Sequence, residues 1–128
     1  MTQNVPVPYD AEFQSPIPSI WRDCIIQIVE AFKDKDFERL NTLPYVQSID
    51  LAYAAEIAEN IDAYGAHLMS LAEESWHTSV CLYMENESWQ AIIDLFTIEE
   101  GRSDLIIDLF IFKKEDQFIF QINNIYVP

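Results

Sequence analysis

The residues to test first for chemistry are Asp94 and Asp108, each set in the middle of an apolar stretch, "WQAIIDLFT" and "DLIIDLFIF". If the intervening "EEGRS" is a five-residue hairpin link, the two carboxylates stand opposite each other. Like charges so placed are destabilising, so the pair would share a proton or hold a cation. A register that sets them diagonally is the plainer reading and is preferred. His77, Ser79 and Cys81 alternate along "SWHTSVCLYM" and suggest a nucleophile with its base. His77 and Cys81, however, are roughly 13 Å apart on a strand, beyond hydrogen-bond reach. His67 has no second histidine or cysteine at metal-ligand spacing. Tyr53 and Tyr64 could turn hydroxyls into a pocket, or serve the core. With only two glycines, the chain has no phosphate-cradling loop and no dinucleotide fingerprint. No catalytic constellation emerges, so the expectation is a protein that is not an enzyme and uses no metal or cofactor.

The elements that must position these residues follow from periodicity. Residues 1–18 contain four prolines and read as an extended arm. Residues 19–128 read as a single α+β domain. Ser19 is expected to cap a helix over "IWRDCIIQIVEAFKD", with Ile20, Trp21, Cys24, Ile25, Ile28, Ala31 and Phe32 on one face. A short helix, "DFERLNTL", follows, then a short strand, "YVQSI". Asp50 or Ser48 caps "LAYAAEIAENIDAY", and Gly65 ends it in a left-handed C-cap. The period then changes to 2, predicting four strands: "SWHTSVCLYM", "WQAIIDLFT", "DLIIDLFIF" and "QFIFQINNIYV". Short links make them an antiparallel meander, with the N-terminal helices on one face in a cone-like arrangement. Gly101 supplies the positive φ for the second hairpin, and Arg102 is expected to pair with Glu99, Glu100 or Asp104.

A four-residue "KKED" loop sets Ile111, Leu109 and Ile107 against Phe118, Phe120 and Ile122, an apolar set that belongs under the helices. An "ENES" loop adds Thr78, Val80, Leu82 and Met84 to that covered face. The opposite face then carries His77, Ser79, Cys81, Tyr83, Ile92, Asp94, Phe96, Asp108, Phe110 and Phe112. It is too apolar for a face open to water. The arm or a helix, a second copy of the chain, or another partner would cover it. A slip of one residue in either register exchanges the faces.

Charge is the strongest global signal. Twenty-two acids face seven bases, for a net charge of −15 over 128 residues. Between Leu40 and Phe112 stand 13 acids and one base, Arg102. Such a field repels nucleic acid and anionic membrane and speeds encounter with a basic protein. The candidate contact residues are Glu56, Glu59 and Asp62 on the second long helix, with Glu73, Glu74, Glu85, Glu87, Glu99 and Glu100 on loops. No apolar run reaches the roughly 20 residues that cross a bilayer. The N-terminus lacks the pattern of a signal peptide, and Cys24 and Cys81 read as free buried thiols. A cytoplasmic protein is expected.

The order "IVEAFKDKDFERLNTL", "YVQSI", capped helix and closing meander resembles the nuclear-transport-factor-2-like superfamily of cone-shaped α+β domains. The segments "SWHTSVC", "EEGRSDL" and "YVP" also resemble a small bacterial domain of unknown function. The first resemblance implies a cone that can hold a small molecule, dimers formed through the sheet, and members that are immunity proteins against toxins. Enzymatic members carry acids, histidine or tyrosine inside the cone, whereas the inner positions here, such as Ile93, Leu95, Ile107 and Leu109, are apolar. The expectation is an acidic immunity protein that occludes a nuclease-type toxin, its carboxylates mimicking phosphate. The alternatives are a small-molecule-binding or isomerase-like domain and a homodimer.

Overall fold

The structure, a computed structural model, describes residues 4–128; the first three residues of the expected arm lie outside the described residues. In chain order the elements are β1 (Ser15–Pro16), α1 (Ser19–Lys33), α2 (Phe37–Leu40), α3 (Leu51–Tyr64), α4 (Ser75–Thr78), β2 (Val80–Tyr83), β3 (Ser88–Thr97), β4 (Gly101–Lys114) and β5 (Gln117–Tyr126). The strands form one antiparallel sheet in the order β1-β2-β3-β4-β5. The α+β class stands, with five strands where four were expected. The extra one comes from the arm, because Ser15 and Pro16 pair with Cys81 and Val80.

The helices form where the sequence supplies their ends. Asp50 caps α3 by accepting from the backbone N–H of Ala52 and Tyr53, and Gly65 closes it at φ 87°. Pro18, not Ser19, precedes α1. The Ser19 hydroxyl instead accepts from the Val5 N–H at 2.8 Å, while its own N–H donates to the Val5 carbonyl at 3.0 Å. The arm is thereby clasped to the helix start. Along α1, Trp21, Ile25, Ile28, Val29, Ala31 and Phe32 are buried, but Ile20, in the first turn, stays 64% exposed. The "YVQSI" strand reduces to one parallel bridge, Val46 to Phe120.

Buried residues of all four helices join Trp89, Ala91, Ile93, Leu95, Ile107, Leu109, Ile111, Phe120, Ile122 and Ile125 in one core. Trp21 is its hub, with ring centroids 5.5 Å from Trp89 and Phe118 in edge-to-face packing. Its indole N–H has no hydrogen-bond acceptor among the described residues, and those rings enclose it.

Two registers decide the faces. Between β4 and β5 the loop is Glu115–Asp116, two residues rather than four. A shift of two preserves parity, so Ile111, Leu109 and Ile107 lie inside as expected, opposite Phe120, Ile122 and Ile125. Between β2 and β3 the pairing is Tyr83 to Trp89 and Cys81 to Ala91. That is a slip of one from the "ENES" loop register, and it reverses β2. Cys81 and Tyr83 therefore lie on the helix side, and Tyr83 packs 5.4 Å from Trp89, against its expected place on the open face. Residues 75–78 form a helical turn instead of a strand, because Ser75 and Ser79 bond to each other and to the Asp94 backbone. His77 and Ser79 thus share no strand face.

Candidate interaction face and cleft

The outer face of the sheet is the first candidate. Ile92, Asp94, Phe96, Asp108, Phe110 and Phe112 sit on it together, with Leu82, Ile106 and Ile119. The strand neighbours half-bury most of them, and none belongs to the core that all the helices share. Phe110 and Phe112 stack along β4 with centroids 5.8 Å apart. At its β3 edge Thr78 of α4 reaches Asp94, and the apolar remainder, outside the core the helices share, is a candidate contact surface.

A polar group lies at its centre. Asp108 accepts from the Gln90 side-chain amide at 3.2 Å and from that of Asn123 at 3.3 Å, and the Tyr126 hydroxyl is 3.5 Å away. A bulge in β5 at residues 123–124, opposite Asp108 and Leu109, brings Asn123 into this cluster. Asp94 pairs with Ile106 and Asp108 with Ile92, so the aspartates are diagonal. Asp94 is engaged separately: it accepts from the Thr78 hydroxyl and lies 3.8 Å from Arg102. Arg102 thus reaches across to β3 rather than pairing within its own loop. The two carboxylates thus have separate partners and do not stand opposite each other. Among the described residues no three His, Cys, Asp or Glu side chains gather as a metal site.

The acidic residues do not form one patch. Glu56 and Glu59 are exposed on α3, and Asp62 pairs with Lys35 at 2.9 Å. Glu73 and Glu74 precede α4. Glu85 and Glu87 share one end of the sheet with Glu115 and Asp116, where the Lys113 N–H donates to the Glu87 carbonyl at 3.0 Å. Glu85, Asn86, Glu87, Glu115 and Asp116 all have positive φ there, a costly conformation for residues other than glycine. At the opposite end, Glu99 and Glu100 are spoken for. Glu99 takes the backbone N–H of His67 at 2.8 Å and its ring Nδ1 at 2.6 Å, while the Tyr64 hydroxyl donates to Glu100 at 2.7 Å. The bonds from His67 hold the Glu99 carboxyl below its ordinary pKa. Tyr53 spends its hydroxyl on the Asn123 carbonyl. Tyr53, Tyr64 and His67 thus fasten α3 to the sheet rather than line a common cavity.

The second candidate is a cleft on the other side, where α1 meets the loop before Val46 and the start of β5. Trp21, Asp23, Cys24, Tyr45 and Phe118 are among its lining residues, and it encloses about 370 Å³. Tyr45 has φ 67°, and its carbonyl accepts from the Phe120 N–H at 2.8 Å while the Gln47 N–H donates to the Phe120 carbonyl at 2.8 Å. Burial pushes the Cys24 thiol up to about 12, with the Asp23 charge adding to it. Nothing in the periodicity of the chain points to this cleft, because the loop carrying Tyr45 has no repeat to read.

The fold and its surfaces define an α+β domain with one apolar core, an outer sheet face of mixed apolar and polar residues, and acidic turns. The chain belongs to the family described as a domain of unknown function (DUF7668), whose pattern matches residues 29–128. No curated protein and no solved structure matches it. The match supports the resemblance to a small domain of unknown function, and it lends nothing to the nuclear-transport-factor-2-like or toxin-immunity resemblances. Among the described residues no helix is long and apolar enough to cross a membrane.

Proposed function

We propose that this protein is a non-catalytic interaction domain that seats a basic protein partner on the outer face of its sheet. The observation that carries the reading is the half-buried face of Ile92, Phe96, Phe110, Phe112 and Ile119, outside the shared core, around the bonded Asp108. Apolar anchors surrounded by charge are how a protein interface concentrates its energy. The turns at the two ends supply that charge, with Glu85, Glu87, Glu115 and Asp116 at one and Asp104 beside Glu99 and Glu100 at the other. A net charge of −15 favours a cationic partner and opposes a second copy. The narrower form of the reading is an immunity protein that covers the basic cleft of a nuclease-type toxin in the cytoplasm. A ligand-binding or isomerase-like cone is the weaker alternative, since Tyr53, Tyr64 and His67 are engaged elsewhere.

The test is affinity capture from lysate at low and high salt, using wild type, Phe112→Ser and Phe110→Ser side by side, with sedimentation of each purified protein. A basic protein held by wild type, weakened by salt and lost from both variants supports the reading. Capture indifferent to the two substitutions overturns it. So does a wild-type dimer that the same substitutions dissociate, since the face would then serve self-association. If the captured protein is a nuclease, stoichiometric inhibition of its activity decides the narrower form.

A further inference from the structure

The cleft beside α1 combines features that a stability argument alone does not require. Tyr45 at its rim is 52% exposed and Ile20 is 64% exposed. A tyrosine at positive φ is a strained choice where glycine or asparagine is easier, yet two backbone hydrogen bonds to Phe120 fix the loop in that shape. What Tyr45 adds over those residues is an aromatic ring at the mouth. The half-buried Phe118 contributes a second ring to the wall, backed by the buried Trp21, and the volume of about 370 Å³ suits a small ligand or a single side chain.

Asp23 is the only charged residue among the described lining side chains. It is exposed and makes no ion pair or hydrogen bond among the described residues, unlike Glu30, Asp34, Asp62, Asp94 and Glu99. Cys24, next to it in the wall, remains an uncharged thiol. Aromatic faces with one free carboxylate attract a cation and repel an anion. The protein's net charge of −15 acts in the same direction.

We propose that this cleft binds an organic cation, an ammonium group on an apolar stem, with the charge between Asp23 and the Tyr45 ring and the stem against Phe118. The site is separate from the outer sheet face and does not depend on the function proposed for it. The chemistry is common to a free amine and to a lysine side chain of a peptide.

The probe is phenethylammonium, titrated into the full-length protein while backbone and indole amide shifts are followed by NMR. Phenethyl alcohol serves as the neutral control, and an acetylated, amidated Gly-Lys-Gly tripeptide as the side-chain source. Shifts should concentrate at residues 20–24, 44–46 and 117–120. Affinity should fall about tenfold for the alcohol, for Asp23→Asn and for Tyr45→Gly. The glycine suits the backbone at that position, so the loop keeps its shape. Equal binding of alcohol and amine, or no localised shifts with any probe, overturns the proposal. With the amine bound, a tripeptide of equal or better affinity assigns the site to a basic side chain; a weaker one assigns it to a free amine.

Discussion

The indole N–H of Trp89 donates to the carbonyl of Pro8 at 2.7 Å, joining residues 81 positions apart. Tyr9 packs edge-on to the same indole at 5.5 Å, so one side chain of β3 holds the N-terminal arm across the core. Trp21, its neighbour, has no such acceptor among the described residues. Trp89→Phe should therefore cost about 2–3 kcal/mol, through lost volume and an orphaned carbonyl. Trp21→Phe should cost roughly 1 kcal/mol less, because no bond is lost with the indole. Urea denaturation ranks the two. Limited proteolysis adds a second readout, since only Trp89→Phe should speed cleavage within the exposed residues 9–14 by loosening the arm.

Glu115 and Asp116 connect β4 to β5 with φ of 51° and 66°. Both central positions of this two-residue hairpin are left-handed, the geometry that Asn-Gly satisfies without steric cost. The double substitution Glu115→Asn, Asp116→Gly should stabilise the domain by about 1 kcal/mol and raise Tm by about 3–5 °C. A Tm at or below wild type would mean that the acidic turn contributes more to the fold than its backbone strain removes.

The parity of this sheet was readable where it rested on two long apolar runs, and unreadable where it rested on one turn. Ile107, Leu109 and Ile111 could only face inward with Phe120 and Ile122, so an error of two residues in loop length was harmless. In β2, Val80, Cys81, Leu82 and Tyr83 are all apolar enough for either side, and the loop length alone decided the face. A turn of three consecutive positive-φ residues, Glu85, Asn86 and Glu87, carries no glycine to announce it. A shorter signal was available and bears on the site: "IIDLF" occurs at 92–96 and again at 106–110. The two copies pair antiparallel about Ile93 and Ile107, and this alone sets the aspartates diagonally, each beside an isoleucine. The arm was the other gap. Its prolines do argue against regular structure, but its docking depends on Trp89 and Ser19, which no local pattern connects to it.

Both thiols should be inert in the folded protein. Burial pushes Cys24 and Cys81 up to about 12, so near pH 8 only about one in ten thousand is thiolate. Cys81 is 1% exposed, while Cys24 reaches the cleft, so its residual labelling should be the faster of the two. A thiol-specific reagent such as a disulfide chromophore should count no rapidly reacting cysteine in buffer and two in denaturant. Fast labelling of Cys24 in the native state would show that the cleft wall opens.

The pairing of Glu99 with His67 ties the β3–β4 turn to the segment after α3, since the Ile98 N–H also donates to the His67 carbonyl at 2.9 Å. The bonds from His67 hold Glu99 below its ordinary 4.5, and those from Lys33 and Ser70 do the same for Glu30. A carboxylate with a depressed folded pKa binds protons more readily in the unfolded chain. Its contribution is therefore present above 4.5 and fades as pH falls through the folded value. Glu99→Gln should lower the urea midpoint at about pH 7, with the gap to wild type narrowing as pH falls below 4.5, while amide exchange at Ile98 quickens at the higher pH. The group is exposed, so the midpoint change should be small and the exchange rate the more sensitive reading. A gap between variant and wild type that does not narrow as pH falls would separate Glu99 from the acid limb of stability and leave Glu30 as the carboxylate to test next.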